Sequence, residues 1–115
     1  MLDVLQGTLD FLILRTLAWG PQHGFGIAKW IKTVTKGRLT IEDGALYPAL
    51  HRMEHKAWIV AEWGVTDNGR RARYYELTSL GRKALREQTT AWSDYVEAVQ
   101  QIITASSRRE AAARG

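Results

Sequence analysis

Three arginines fall within four positions, Arg70-Arg71-Ala72-Arg73, directly after an Asn68-Gly69 pair. A guanidinium is planar and permanently charged, and its N–H fork matches a pair of phosphate oxygens. Such a cluster is therefore suited to gripping a phosphodiester backbone. Asn-Gly tolerates the positive φ that a tight turn between twisted strands requires. Alternating stretches, Ile59 to Val65 and Tyr74 to Thr78, flank it. The expectation is a two-stranded hairpin with Arg70, Arg71 and Arg73 at its apex, where they have no folding role. A solvated turn that happens to be basic would look the same in isolation, so the elements in front of it decide.

A second constellation, His51-Arg52-Met53-Glu54-His55, fits H-x-x-E-H. On a helix this pattern can bring two histidines to one metal with a glutamate as base. Helical geometry counts against it, because Glu54 projects about 60° or more away from either histidine. His23, the other histidine, lies near a different helix end. No Ser/His/Asp arrangement, glycine-rich phosphate loop or paired-acid cleft is recognisable. No catalytic residue, metal or cofactor is expected. The absence of cysteine excludes a disulfide framework, a zinc-thiolate site and a thiol nucleophile together.

Helices must position these groups. From about Gly7 to Trp19, Leu9, Leu12, Ile13, Thr16 and Leu17 form one stripe at helical spacing. Phe11, Leu14 and Ala18 form a second apolar arc on the other side, which makes Phe11 and Leu14 candidate subunit contacts. Gly20-Pro21 ends this helix. A second helix is expected from His23-Gly24 to about Thr35, burying Ile27, Trp30, Ile31 and Val34. Lys36-Gly37-Arg38 breaks the pattern and supplies two further candidate DNA contacts, Lys36 and Arg38.

Thr40 offers an N-cap oxygen for a third helix running to about Lys56. Leu46, Leu50, Met53 and Ala57 form its core stripe, so Gly44, Tyr47, Pro48, His51, Arg52 and His55 turn outward. That face is small, aromatic and basic. Pro48 removes a hydrogen bond to the carbonyl of Gly44, so a bend or an irregular first turn is expected. Two helices, a break, a basic helix and a hairpin give the order of a winged helix-turn-helix. In that architecture the third helix enters the major groove and the hairpin grips the adjacent backbone.

Thr78 is a candidate N-cap for a last helix reaching about Thr104. Leu85, Gln88, Trp92, Val96, Val99 and Ile103 repeat along it at spacings of three and four, a stripe suited to another helix. Leu85, Trp92, Val96, Val99 and Ile103 are therefore candidate dimer contacts. A homodimer would set two recognition helices about 34 Å apart, one turn of B-DNA. The expected fold class is mainly α with a small β-hairpin (α+β). Residues 1–80 form the winged domain, 81–104 the dimerisation helix and 105–115 a flexible tail.

The charge balance agrees with an anionic partner. Lysine and arginine number 16 against 12 acids in 115 residues. The excess lies upstream of residue 84, because beyond it Arg86, Arg108, Arg109 and Arg114 are matched by Glu87, Asp94, Glu97 and Glu110. Five tryptophans and 45% apolar residues exclude a disordered chain. The apolar run near the start is interrupted by Asp10 and Arg15, and no charged leader precedes a cleavage site. A soluble cytoplasmic protein without a membrane span is expected. A winged module used only as a protein adaptor is the rival reading, but it has no need of three wing arginines beside a basic helix.

The sequence also resembles the PadR-like transcriptional regulators. The resemblance is carried by Leu5-Gln6-Gly7-Thr8-Leu9, by Trp19-Gly20-Pro21-Gln22-His23-Gly24-Phe25-Gly26-Ile27, by Gly44 to Glu54, and by Asn68-Gly69-Arg70-Arg71 through Tyr74-Tyr75-Glu76-Leu77-Thr78 to Gly81-Arg82. It covers nearly all of residues 5–103 and is closest to the compact subgroup with a single C-terminal helix. It implies a homodimeric repressor that carries Tyr47, Pro48, His51 and Arg52 to double-stranded operator DNA, with Arg70, Arg71 and Arg73 on the wing. It also implies that Trp92 can line a pocket between subunits for a planar apolar small-molecule effector; filling the dimer core is the alternative role. Two positions depart from the family pattern. Phe25 stands where many relatives have tyrosine, and Ala45 where they often carry Ser or Thr.

Overall fold

A computed structural model describes residues 7–106 and 108. In chain order the elements are α1 (Leu9–Leu17), β1 (Gln22–His23), α2 (Gly24–Val34), α3 (Asp43–His55), β2 (Ile59–Val65), β3 (Arg71–Leu77) and α4 (Ser79–Thr104). The chain divides between Leu85 and Arg86 into two compact units. The expected α+β fold is present: a three-helix domain with an antiparallel sheet, followed by a long C-terminal helix. The Leu5-Gln6 stretch lies outside the described residues. So does the expected tail beyond Ser106, apart from Arg108.

The core of the first unit joins Ile13, Leu14 and Leu17 of α1, Ile27 and Ile31 of α2, and Leu46, Ala49, Leu50 and Met53 of α3 to Ile59, Tyr75 and Leu77 of the sheet. Each fully buried Leu, Ile or Met among them contributes about 1.5–3 kcal/mol. Leu14 is wholly buried in this core. It therefore has no surface to offer a partner, and the reading of the second α1 arc as a subunit contact fails there; Phe11 is half-buried. Leu85 also packs against the core of its own chain.

Helix α2 starts with His23 at its N-cap, where Nδ1 accepts a hydrogen bond from the Gly26 N–H at 2.9 Å. Both α2 and α3 end in the same way. The Lys36 N–H donates to Thr33 O and Gly37 N–H to Lys32 O; Ala57 N–H donates to Glu54 O and Trp58 N–H to Met53 O. Each is a Schellman closure with a non-glycine residue in the left-handed position, Lys36 at φ 53° and Ala57 at φ 60°. Ala57 is thus exposed in a turn rather than part of the core stripe, and Val34, at the exposed end of α2, is not buried either.

Helix α3 begins later than the sequence suggests. Thr40 does not cap it; Glu42 stands at the cap position without a side-chain cap, and its carbonyl accepts from Ala45 and Leu46 N–H. Pro48 lies inside the helix. The hairpin is longer than expected, since β3 starts at Arg71 and pairs it with Val65. The turn is the loop 66–70, where Gly69 has φ +80° and Thr66 N–H donates to Arg70 O at 2.8 Å. Strand β1 adds Gln22 and His23 to the free edge of β3, giving the order β1-β3-β2. This third strand has no counterpart in the sequence reading. Thr78 caps α4 by accepting from Gly81 N–H at 3.0 Å. A Cβ on Gly81 would stand 2.0 Å from the Trp58 carbonyl oxygen, so only glycine fits there.

Candidate nucleic-acid interface

Strand periodicity builds one wall of the site. Residues two apart share a face, so Ile59, Ala61, Trp63 and Val65 of β2 align with their partners Leu77, Tyr75, Arg73 and Arg71 of β3. The base of this face is apolar and covers the core. Its outer half carries Trp63, Arg71 and Arg73 into a groove of about 1110 Å³ between the hairpin, α2 and α3. On the opposite wall stand Lys29, Tyr47 and His51.

Tyr47 rests on the first residue of α2. A Cβ on Gly24 would lie 2.9 Å from the Tyr47 ring and hydroxyl, so the glycine makes room for the phenol. Along α3, Gly44, Tyr47, Pro48, His51, Arg52 and His55 are all exposed, the outward face that helical periodicity predicts. Arg52 is engaged within the protein: its Nη2 donates to Asp10 Oδ1 of α1 at 3.0 Å.

The three wing arginines have different surroundings. Arg70 lies in the exposed loop. The Arg71 guanidinium carbon lies over the Trp63 ring, 4.7 Å from its centroid. Arg73 donates to Glu54 Oε2 at 3.0 Å and lies over Tyr75. The expectation of three arginines at the apex without a folding role is therefore corrected. Arg71 and Arg73 belong to a strand, and Arg73 ties the wing to α3. The other Glu54 oxygen, Oε1, is buried without a hydrogen-bond partner. Glu54 thus faces the wing rather than His51 or His55, and no cluster of three metal-ligating side chains occurs among the described residues. Burial pushes the Tyr75 phenol above its usual pKa, and the Arg73 charge beside it opposes that rise.

A second groove, of about 690 Å³, runs beside the first and is lined by Phe25, Lys29, Lys32 and Lys36. Lys29 and Lys32 were missed as candidates, although the spacing i, i+3 puts them side by side on α2, and Lys36, just past the helix end, lines the same groove. Arg38 is exposed in the turn after α2. Trp63 was also missed, because alternation in a strand does not by itself tell the core end of a face from its solvent end.

In the second unit, Trp92, Tyr95, Val96, Ile102 and Ile103 are exposed on α4, with Val99 half-buried between them. Trp92 and Tyr95 have ring centroids 6.3 Å apart. No helix among the described residues is long and apolar enough to cross a membrane.

A helical core, a third helix with an outward polar face and a basic hairpin beside it define a winged helix-turn-helix protein. Comparison with known proteins gives the family. The profile of the transcriptional regulator PadR-like family matches residues 13–87. A transcriptional regulator of Mycobacterium tuberculosis is 41% identical over 88 residues, spanning 76% of this chain and 78% of the relative. A transcriptional regulator from Clostridium thermocellum superposes with a TM-score of 0.78 at 26% identity, over 86% of this chain and 96% of that one. A PadR family transcription regulator from Clostridium difficile gives 0.72 at 29% identity, over 84% and 99%. The chain belongs to the PadR-like family of transcriptional regulators, proteins that act by binding DNA.

Proposed function

We propose that this protein is a homodimeric repressor that occupies double-stranded operator DNA and is released by a planar apolar effector. The observation that carries the DNA reading is the single groove that brings Tyr47 and His51 of α3 together with Arg70 and Arg71 of the wing. In this reading Tyr47 and His51, with Gly44, Pro48 and His55 along the same face, meet base edges in the major groove. Arg70, Arg71, Lys36 and Arg38 hold phosphates, joined by Lys29 and Lys32. Arg52 and Arg73 serve mainly to fix α3 against α1 and the wing, through Asp10 and Glu54.

Residues 1–80 are the DNA-binding domain in this reading and 81–104 the dimerisation helix. The exposed apolar strip on α4 supports a partner helix there, with Trp92, Val96, Val99 and Ile103 at the seam; Phe11 is a separate subunit contact in this reading. Trp92 is the residue assigned to a flat effector.

A mobility shift of the full chain on the DNA upstream of its own gene, against random duplex, tests the proposal. Tyr47→Ala or His51→Ala should cost operator affinity about 5- to 150-fold per half-site, from about 1–3 kcal/mol per base contact, with a much smaller loss on random DNA. Equal losses on both DNAs would remove these residues from base reading. The absence of any shift on either DNA would favour an adaptor role.

A further inference from the structure

We propose that Trp63 is a DNA-contact residue of the wing: its ring is the platform that fixes the Arg71 guanidinium, and its exposed edge meets the sugar-phosphate wall. The inference deepens the reading of the wing as a backbone grip and rests on it.

Trp63 is 60% exposed and does not fill the core. Its position in the strand explains where it points. It pairs with Arg73 and is diagonal to Arg71, on the face that leaves the core and enters the groove. Val65, exposed on the same face, continues an apolar strip towards the loop. Arginines beside an apolar strip match the chemistry of a DNA backbone, in which apolar deoxyribose rings alternate with charged phosphates.

A guanidinium placed over a ring is held by cation-π attraction without using up its N–H donors as a carboxylate partner would, so they stay available to phosphate oxygens. Arg71 has already given up much of its side-chain freedom before DNA arrives, so that cost does not fall on binding. The neighbours differ: Arg73 also lies over a ring, 5.7 Å from the Tyr75 centroid, but its N–H edge is engaged by Glu54, and Arg70 lies in the loop.

The test compares the full chain with Trp63→Phe, Trp63→Ala, Arg71→Ala and the Trp63→Ala/Arg71→Ala double variant. Anisotropy titrations on operator and random duplexes would run from roughly 50 to 200 mM salt, at a temperature where thermal unfolding shows every variant folded. Trp63→Ala should weaken both DNAs about two- to fivefold per wing, the range of an exposed cation-π contact, and should flatten the salt dependence as Arg71→Ala does. Trp63→Phe, which keeps a ring under the guanidinium, should retain most of the affinity. The double variant should lose less than the product of the single losses. Multiplicative losses, or a Trp63→Ala variant with the original salt slope, would overturn the platform while leaving the wing as a grip. If Arg71→Ala itself left the slope unchanged, the wing reading would fail and this inference with it.

Discussion

Arg73 provides the sharpest test of how the wing is built, because its charge is already spoken for. Its Nη2 stands 3.0 Å from Glu54 Oε2, and the two side chains are 37% and 25% exposed. A hydrogen bond between charged groups contributes about 1.5–3 kcal/mol when sheltered, whereas an open surface pair contributes about 0–1. This half-sheltered pair should lie near about 1–2 kcal/mol. Arg73→Ala removes the one partner of a carboxylate whose other oxygen is buried without one, which places its cost at the upper end, about 2 kcal/mol. For a chain of 115 residues, about 4 °C per kcal/mol gives a fall in Tm of about 8 °C. Glu54→Gln keeps an oxygen facing the guanidinium and should cost about half as much. The double variant should be less destabilised than the sum, since each change removes the same contact. Circular dichroism melts of the four proteins measure this coupling, and DNA titrations against salt measure the rest. Arg71→Ala should lower the salt slope by about two for two wings, at about 0.9 per phosphate. Arg73→Ala should leave it within about half a unit. Additive stability losses, together with equal slope changes for the two arginines, would refute this division of roles and restore Arg73 to the phosphate grip.

Other consequences can be checked by simpler means. Gly24→Ala would put a Cβ 2.9 Å from the Tyr47 ring; the fold should survive with Tm nearly unchanged, but the ring must swing, and operator affinity should fall about tenfold, as for a displaced base contact. Val96→Asp with Val99→Asp should convert the proposed dimer into monomers in light scattering, at several kcal/mol per charge buried without a partner. A dimer persisting at micromolar concentration would show that the interface lies elsewhere than on α4.

Much of the first unit was legible because its signals are local. Apolar spacing located all four helices to within a few residues, and Asn68-Gly69 between alternating runs located the hairpin. The outward face of α3 followed from 100° per residue once Leu46 and Leu50 were taken as buried. What escaped depends on contacts distant in sequence or on backbone closures with an unusual residue. Strand β1 is only Gln22 and His23, and it exists because the edge of β3 is there to receive it. Two helices end with Lys36 and Ala57 in the left-handed region where glycine is the usual signal, so Ala57 was read as one more apolar position of α3. Leu14 was assigned to a subunit face because a two-sided helix has two partners; the sheet and the other helices supply both. The arginines were read as a cluster in sequence, but a pleated strand places Arg71 and Arg73 on one face and then separates them by what lies beneath, a tryptophan for one and a glutamate for the other.

This separation matters for recognition because a winged protein must present two contacts at once. In the proposed reading the α3 face reaches base edges while the hairpin reaches a phosphate, and the distance between them is set by whatever joins α3 to the sheet. Here the joints are the packing of Ile59, Tyr75 and Leu77 on the core, the short β1–β3 pairing that anchors the start of α2, and the Arg73–Glu54 pair near the end of α3. A third phosphate contact would add affinity for every DNA alike. An arginine spent on fixing the spacing instead adds nothing to random binding, but it limits the range of positions the wing can take when α3 is seated. The same reasoning applies to Arg52, held by Asp10 on the opposite side of α3. The two cations flanking the outward face of α3, Arg52 on the helix and Arg73 on the wing, are thus paired within the protein, and in the proposed reading Tyr47, His51 and His55 on that face are aromatic rings suited to discriminating bases rather than to holding phosphates.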